Sequence, residues 1–205
     1  MSLFTVDEER RVSNAITQAE RTTSGEIVVV VAARSETYFY VPPLVAALIS
    51  LLVPWVLIYF SLFDLQSIYL AQLGTFLILT ALLLPLPVRT ALVPKRIKAL
   101  HAHQRAVEQF LVQNLHTTSD RTGVLLFVSV AERYVEILAD TAIDAKVAPG
   151  TWKSIVNQLT TAIAAGKPTD GLVAAIREMG THLARYFPPA TRHSNELPDH
   201  LIVLP

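Results

Sequence analysis

Two long apolar segments, residues 44–63 and 68–88, constrain the fold of this 205-residue chain more than any other feature of its sequence. The short polar stretch SLFDLQS (61–67) separates them. Each segment is long enough, at about 1.5 Å per helical residue, to cross a hydrocarbon core of about 30 Å. A buried helix of a soluble protein usually keeps a polar stripe, and neither segment has one. The pattern therefore predicts a transmembrane hairpin over residues 41–88 rather than two core helices.

Basic residues flank this hairpin at its two ends and not at its turn. Arg34 precedes the first segment, and four basic residues follow the second: Arg89, Lys95, Arg96 and Lys98. Because cytoplasmic loops carry the excess of Lys and Arg, both ends of the hairpin, and with them both termini, are expected in the cytoplasm. Lys95, Arg96 and Lys98 are also expected to contact anionic lipid headgroups.

Charge and composition exclude several classes of function. The formal net charge is +0 and the pI is about 7.0, so no positive field favours a nucleic-acid partner. The chain has no cysteine, which excludes disulfides, thiolate metal sites and a cysteine nucleophile. Residues 1–16 carry acids and arginines where a signal peptide has an apolar stretch, so the N-terminal segment is not expected to cross a membrane.

Four amphipathic helices are predicted outside the hairpin. A capping box of Thr5 and Glu8 opens the first. The second covers residues 95–115. Its apolar side is formed by Leu100, Val107, Leu111 and Leu115. The segment GKPTD (166–170) separates the last two helices, and Thr169 is expected to be the N-cap of the final one.

Two further segments, EIVVVVAA (26–33) and GVLLFVSV (123–130), are apolar on both faces, which is typical of central strands. RYVEILAD (133–140) is predicted to pair with the second as a hairpin, and LIVL (201–204) to add a short strand or dock on the body. Each central strand has too much apolar surface to exist alone, so both are expected in one sheet. The insertion between them must then cross the membrane an even number of times, and two spans satisfy this. The predicted fold class is α/β.

The flanking motifs resemble the TPM-domain family. They are TSGEIVVVV before the hairpin, then DRTGVLLFVSVAERYVEILAD and GKPTDGLVAAIREMG after it. The resemblance implies an α/β/α sandwich with the two-helix transmembrane hairpin inserted after the first strand. The domain would comprise residues 1–36 and 95–188, followed by a tail over 189–205. Because the family occurs in bacteria, the resemblance and the predicted topology together imply a multi-pass protein of the bacterial inner membrane.

The resemblance implies two different classes of function. Some relatives are described as acid phosphatases, and others as accessory factors in the repair of membrane complexes. The loop after the third strand, commonly Gly-Tyr-Gly in the family, here reads Asp140-Thr141-Ala142. We expect a non-enzymatic adaptor or accessory factor with a protein partner at the cytoplasmic face of the membrane. The alternative is a metal-dependent acid phosphatase-like hydrolase of phosphomonoesters, and a homo-oligomer is compatible with either.

Three aspartates are candidate metal ligands. Asp140 and Asp144 flank the end of a strand, where α/β sheets commonly bind ligands, and with Asp120 they could hold Ca²⁺ or Mg²⁺ through oxygen atoms. The alternative, which their spacing favours, is that Asp140 caps the following turn and Asp144 is solvated.

Glu26 opens a central strand, and a buried carboxylate there needs a partner. Arg121, immediately before the second strand, would be its neighbour if the two strands pair in parallel. The pair would form an anion-binding or acid–base site or, as the favoured alternative, an ion pair that fixes the strand register. His101 and His103 lie about 200° apart around a helix and are expected at the surface rather than as metal ligands.

Overall fold

The structure is a computed structural model and describes residues 3–60, 64–118, 120–148, 150–189 and 196–205. The chain divides into two compact units. Met1–Ser35 and Ala99–Pro205 form the first, which contains the sheet, and Glu36–Lys98 form the second, which contains the apolar helices. The centre of the predicted hairpin turn, at 61–63, and tail residues 190–195 lie outside the described residues.

Nine α-helices and four strands follow one another along the described residues. The helices are α1 (Val6–Glu20), α2 (Val41–Ser50), α3 (Leu52–Tyr59), α4 (Leu65–Leu83), α5 (Leu86–Leu92), α6 (Lys95–Val112), α7 (Thr141–Asp144), α8 (Thr151–Ala164) and α9 (Pro168–Tyr186). The strands are β1 (Glu26–Ala32), β2 (Gly123–Ser129), β3 (Tyr134–Ala139) and β4 (Ile202–Leu204).

The four strands form one sheet. β1 pairs in parallel with β2 along its whole length, from Glu26 opposite Gly123 to Ala32 opposite Ser129. β3 pairs antiparallel with β2, and β4 pairs in parallel with β1, so the strand order is β3-β2-β1-β4. The predicted common sheet, the hairpin partner of β2 and the C-terminal strand are therefore confirmed.

Helices cover both faces of the sheet, because successive side chains of β1 and β2 point to opposite sides. On one face, Ile27 and Leu126 pack in a core with residues of α1, α8 and α9. On the other face, Val28 and Phe127 pack with α6 and with the 3-10 turn Leu115–Thr117. The predicted α/β/α sandwich is confirmed.

The side of α6 that faces the sheet is not the predicted one. Its buried residues are Ala102, Ala106 and Gln109. The predicted inner residues Leu100, Val107 and Leu111 are instead 53%, 39% and 51% exposed. Leu115 is buried as predicted, but it lies in the 3-10 turn beyond the end of α6 at Val112. Small side chains let a helix approach a sheet closely, so the larger apolar residues of α6 do not mark its inner side.

The start of α9 also differs from the prediction. The helix begins at Pro168 with Lys167 as its N-cap, so the expected N-cap at Thr169 is wrong by two residues. Proline is favoured in the first helical turn, where its missing N–H has no helical partner in any case. The Thr169 hydroxyl donates instead to Oε1 of Glu8 at 3.0 Å, and so links α9 to α1.

Two helical stretches of the second unit, Val41–Tyr59 and Leu65–Leu83, are long and apolar enough to cross a membrane. Each has 19 residues, and their mean hydropathies are 2.3 and 1.5. Both begin three residues before the predicted spans. α2 and α3 pack against α4, and large side chains such as Trp55, which is 80% exposed, face outward.

Prolines interrupt these helices. The first stretch breaks at Leu51, between α2 and α3. Pro54 causes this break, because it cannot donate a backbone hydrogen bond to Ser50 and its ring crowds that carbonyl group. The second stretch ends at Leu83, just before Pro85, and α5 follows as a separate short helix.

The predicted capping box of α1 is present. The Thr5 hydroxyl accepts from the Glu8 N–H at 3.3 Å, and Oε2 of Glu8 accepts from the Thr5 N–H at 2.8 Å. We expect Thr5→Ala to lower the free energy of unfolding by about 1 kcal/mol, because the first turn loses its side-chain acceptor. Urea unfolding of the full chain in detergent, followed by circular dichroism, measures this loss. In the control Thr181→Ala, the lost hydroxyl bonds the Arg177 carbonyl inside α9, and an equal loss there would contradict the capping role.

Candidate functional site

The predicted site residues lie at one edge of the sheet. β1 and β2 run in parallel and both begin at this edge, whereas the antiparallel β3 ends there. Glu26 opens β1, Arg121 precedes β2, and Asp140 follows β3, with its N–H donating to the Gly123 carbonyl at 2.9 Å. We call this the Asp140 edge. The topology explains how residues more than a hundred positions apart in the chain reach the same edge.

Asp140 is the N-cap of α7, which confirms the favoured alternative for this residue. Its Oδ1 accepts from the Thr141 N–H at 2.7 Å, and its Oδ2 lies 3.4 Å from Nε of Arg121. Only 5% of Asp140 is exposed, and Arg121 also donates to the His116 carbonyl. Arg121 has a positive φ of 56°, which turns the chain just before β2. The buried Asp140 carboxylate is thus held by the Arg121 guanidinium and by the first backbone N–H of α7.

Glu26 has other partners than the predicted one. It is 1% exposed, and its carboxylate oxygens each accept a backbone N–H at 3.3 Å, from Glu196 and Leu197 of the tail. The predicted ion pair between Glu26 and Arg121 is wrong, because Arg121 pairs with Asp140. Backbone N–H groups can satisfy a buried carboxylate as a cation does, and here they attach the tail to the start of β1.

Asp120 and Asp144 are exposed at the Asp140 edge. Within the described residues, no group of three His, Asp or Glu side chains is placed to hold a metal ion. The Ca²⁺ or Mg²⁺ site therefore stays a prediction, with Asp140 committed to the cap and the ion pair.

A second group of carboxylic acids lies where α1, β1 and the tail meet, and the sequence did not indicate it. Oε1 of Glu20 accepts from the Ile27 N–H at 2.7 Å, and Oδ2 of Asp199 accepts from the Thr17 hydroxyl at 2.8 Å. Burial raises the pKa of Glu20 to about 9; the Ile27 N–H opposes this rise, and the charges of Asp199 and Glu26 add to it. At pH 7 Glu20 is thus a neutral acid and a potential proton donor.

The opposite edge of the sheet, where β1 and β2 end, carries a relay of polar groups. Ser35 Oγ donates to Ser129 Oγ at 2.8 Å, and Ser129 donates to Oε2 of Glu132, which also accepts the Ser35 N–H at 3.0 Å. Glu132 is 7% exposed, and its Oε1 has no hydrogen-bond partner among the described residues. Parallel sheets commonly bind ligands at this edge. The geometry allows Glu132 to take a proton from Ser35 through Ser129.

A histidine of α6 and two residues of β3 form a further polar group. Nδ1 of His103 lies 3.0 Å from both carboxylate oxygens of Glu136, and the Tyr134 hydroxyl donates to the same carboxylate at 3.1 Å. Burial, with the neighbouring charge of Glu136, raises the pKa of Tyr134 to about 12. His103 therefore links α6 to β3, and it is about half exposed, in agreement with its expected position at the surface.

Comparison with known proteins identifies the domain. Residues 88–182 match the family model described as the TPM domain. No curated protein matches the chain. Among solved structures, the chain is similar to BA42 from the psychrophilic bacterium Bizionia argentinensis, at 22% identity and a TM-score of 0.63, over 98% of this chain and 96% of that one. At that identity the likeness shows the fold alone. The match to the TPM domain over residues 88–182 confirms the resemblance to that family in this part of the chain.

Proposed function

We propose that this protein is a membrane-tethered, non-enzymatic TPM-domain adaptor that binds a protein partner at the cytoplasmic face of the bacterial inner membrane. One observation carries the proposal: β1 and β2 pair residue by residue although the two apolar helical stretches lie between them in the chain. A folded domain interrupted in this way is tied to the bilayer by two chain segments. Such a tether favours a function that depends on position beside the membrane.

The flanking charges support the proposed topology. Arg34 lies before the apolar helices, and Lys95, Arg96 and Lys98 open α6 after them. Each basic side chain near an anionic bilayer contributes about 1 kcal/mol of attraction. In this proposal the three α6 residues contact lipid headgroups, and both termini are cytoplasmic.

A groove between α1 and α9 is the surface that we assign to the partner. It has a volume of about 350 Å³ and is lined by polar side chains that include Asn14, Gln18 and Arg177. Arg11, also in the groove, pairs with Asp170 at 2.6 Å, whereas Arg177 forms no ion pair with a described residue. An acidic segment of a partner protein would suit this combination of a free guanidinium and side-chain amides.

Photo-cross-linking from Asn14 in native membranes tests the adaptor. We expect a discrete protein adduct that is lost when Arg177 is changed to Glu, because the reversed charge repels an acidic segment. Lys153→Glu is the control, since this exposed residue of α8 lies outside the groove and its reversal changes net charge equally. Absence of any adduct above the level of a probe at exposed Asn157 would contradict the proposal.

The alternative function is a metal-dependent acid phosphatase. It is favoured by the gathering of Asp140, Arg121 and Asp144 at the Asp140 edge, and the matching family model carries the word phosphatase in its name. Carboxylates with a divalent ion and a guanidinium are groups that stabilise phosphoryl transfer.

Metal titration separates the two functions. For the adaptor we expect no change in melting temperature of the full chain in detergent with Ca²⁺ or Mg²⁺, and no turnover of a generic phosphomonoester at acid pH. Asp140→Asn keeps a capping side chain, so it tests chemistry without removing the helix start. Metal-dependent turnover that this variant loses, and that the exposed Asp7→Asn retains, would establish the phosphatase instead.

A further inference from the structure

The outer side of α6 carries an apolar line that no described part of its own unit covers. Leu100, Val107 and Leu111 are exposed, and Gln104 lies between them, also exposed. We call these four residues the outer line. The opposite side of α6, with Ala102 and Ala106, is buried on the sheet. The outer line is therefore a surface of a helix that the domain already holds in place.

The spacing of the outer line is that of a helix-pairing seam. Its residues follow one another at intervals of four, three and four, which is the a/d pattern of paired helices. Such a line is narrow, whereas helices that lie in a bilayer surface have a broad apolar face. Here a polar Gln stands inside the line. The pattern fits another helix better than it fits lipid.

The residues beside the outer line indicate which helix packs against it. His103, held by Glu136, borders it on one side, and Glu108, paired with Arg105, borders it on the other. In a parallel pair of helices, a residue at the position of His103 lies beside the partner's residue that is five positions further along the chain. His103 of one copy would therefore lie beside Glu108 of the other. Gln104 of one copy would lie beside Gln104 of the other, and the two side-chain amides can hydrogen-bond because each has a donor and an acceptor.

We propose that the outer line of α6 binds the same line of a second copy of this chain in parallel, forming a homodimer in the membrane. The buried Gln104 pair fixes the register, as a single polar residue at such a position does in other helix pairs. The seam is short, but α6 is already folded and both copies are confined to one bilayer, so the entropy cost of association is small. This dimer is independent of the adaptor's partner.

The absence of cysteine from the chain permits a direct test. Single cysteines are introduced into the full chain in native membranes at Leu100, Val107 or Leu111, and at Val112, which is exposed but about 140° away from Val107 around the helix. After oxidation we expect roughly tenfold more disulfide-linked dimer at the three seam positions, because the bond needs Cβ atoms within about 4.5 Å. Equal dimer at Val107 and Val112 would overturn the proposal.

Other occupants of the outer line give different results. Seam cysteines that are shielded from an aqueous maleimide without forming dimer would show lipid contact, and a bismaleimide adduct with a different protein would show another partner. Either result overturns the homodimer. A second pair of variants needs no cysteine: Val107→Glu should convert the detergent-solubilised dimer to monomer by light scattering, and Val112→Glu should leave it intact. Because neither readout involves the α1–α9 groove, failure of the dimer is distinguishable from failure of the adaptor.

Discussion

Replacing Glu20 with Gln is expected to stabilise the folded chain by about 3 kcal/mol at pH 7. The pKa of Glu20 is about 9 in the folded protein, against an ordinary value of 4.5. Between these two pH values the unfolded chain releases the proton and the folded chain keeps it. Folding therefore becomes less favourable by about 1.4 kcal/mol for each pH unit above 4.5. A Gln side chain has no proton to lose, and its oxygen can still accept from the Ile27 N–H.

The dependence on pH is the decisive part of this prediction. Below pH 4.5 the carboxyl group is neutral in both states, so Glu20→Gln and the original chain should have similar stability there. The difference should then grow until about pH 9. Urea unfolding of the full chain in detergent at pH 4, 7 and 8.5 measures it. Glu9→Gln, at a partly buried position of the same helix, is the matched control, and a gain of equal size at pH 4 and pH 8.5 would contradict the assignment.

Much of the sheet could be predicted because the apolar residues that identify β1 and β2 are consecutive in the sequence. An unbroken apolar run such as 27–33 is typical of the centre of a sheet. That this run and 123–130 share one sheet was expected because each has too much apolar surface to exist alone, whereas their parallel pairing is a finding of the structure. These inferences needed neither side-chain positions nor contacts.

The side of α6 that faces the sheet could not be predicted from the size of its apolar side chains. Ala102 and Ala106 allow close approach to the sheet, whereas Leu100 and Val107 remain outside. A helix that uses large residues to meet another helix and small residues to meet its own sheet has two apolar sides. Periodicity alone does not say which of them is the core.

The polar groups that were missed are assembled from distant parts of the chain. Ser35 and Glu132 are 97 positions apart, and Thr17 and Asp199 are 182 apart. No spacing rule connects such residues. One signal was present: Ser129 ends a buried strand and Glu132 follows within the turn, so that a polar pair at a sheet edge could be expected. Arg121 was predicted at the correct edge, but its choice of Asp140 over Glu26 depends on how the tail folds back.

Replacing residues 36–94 with a flexible linker of about ten Gly and Ser residues is expected to move the protein from the membrane fraction to the soluble fraction while the unit that contains the sheet stays folded. The two core clusters on either side of the sheet, as far as the chain is described, draw no residue from 36–98. Without the insertion, β1, α6 and β2 form an ordinary parallel crossover, in which a helix connects neighbouring strands.

The same replacement should change the stability of the domain by only about 1 kcal/mol, because the cost of closing a loop varies slowly with its length. Cell fractionation and urea unfolding, with the full chain in detergent as reference, measure the two effects. A second variant carries the linker and Phe127→Ala. That change removes a fully buried ring and should cost about 3–5 kcal/mol, so cooperative unfolding at lower urea would show that the soluble variant has the native core. An insoluble linker variant, or a soluble one that is indifferent to Phe127→Ala, would mean that the apolar helices take part in folding the sheet and do more than tether it.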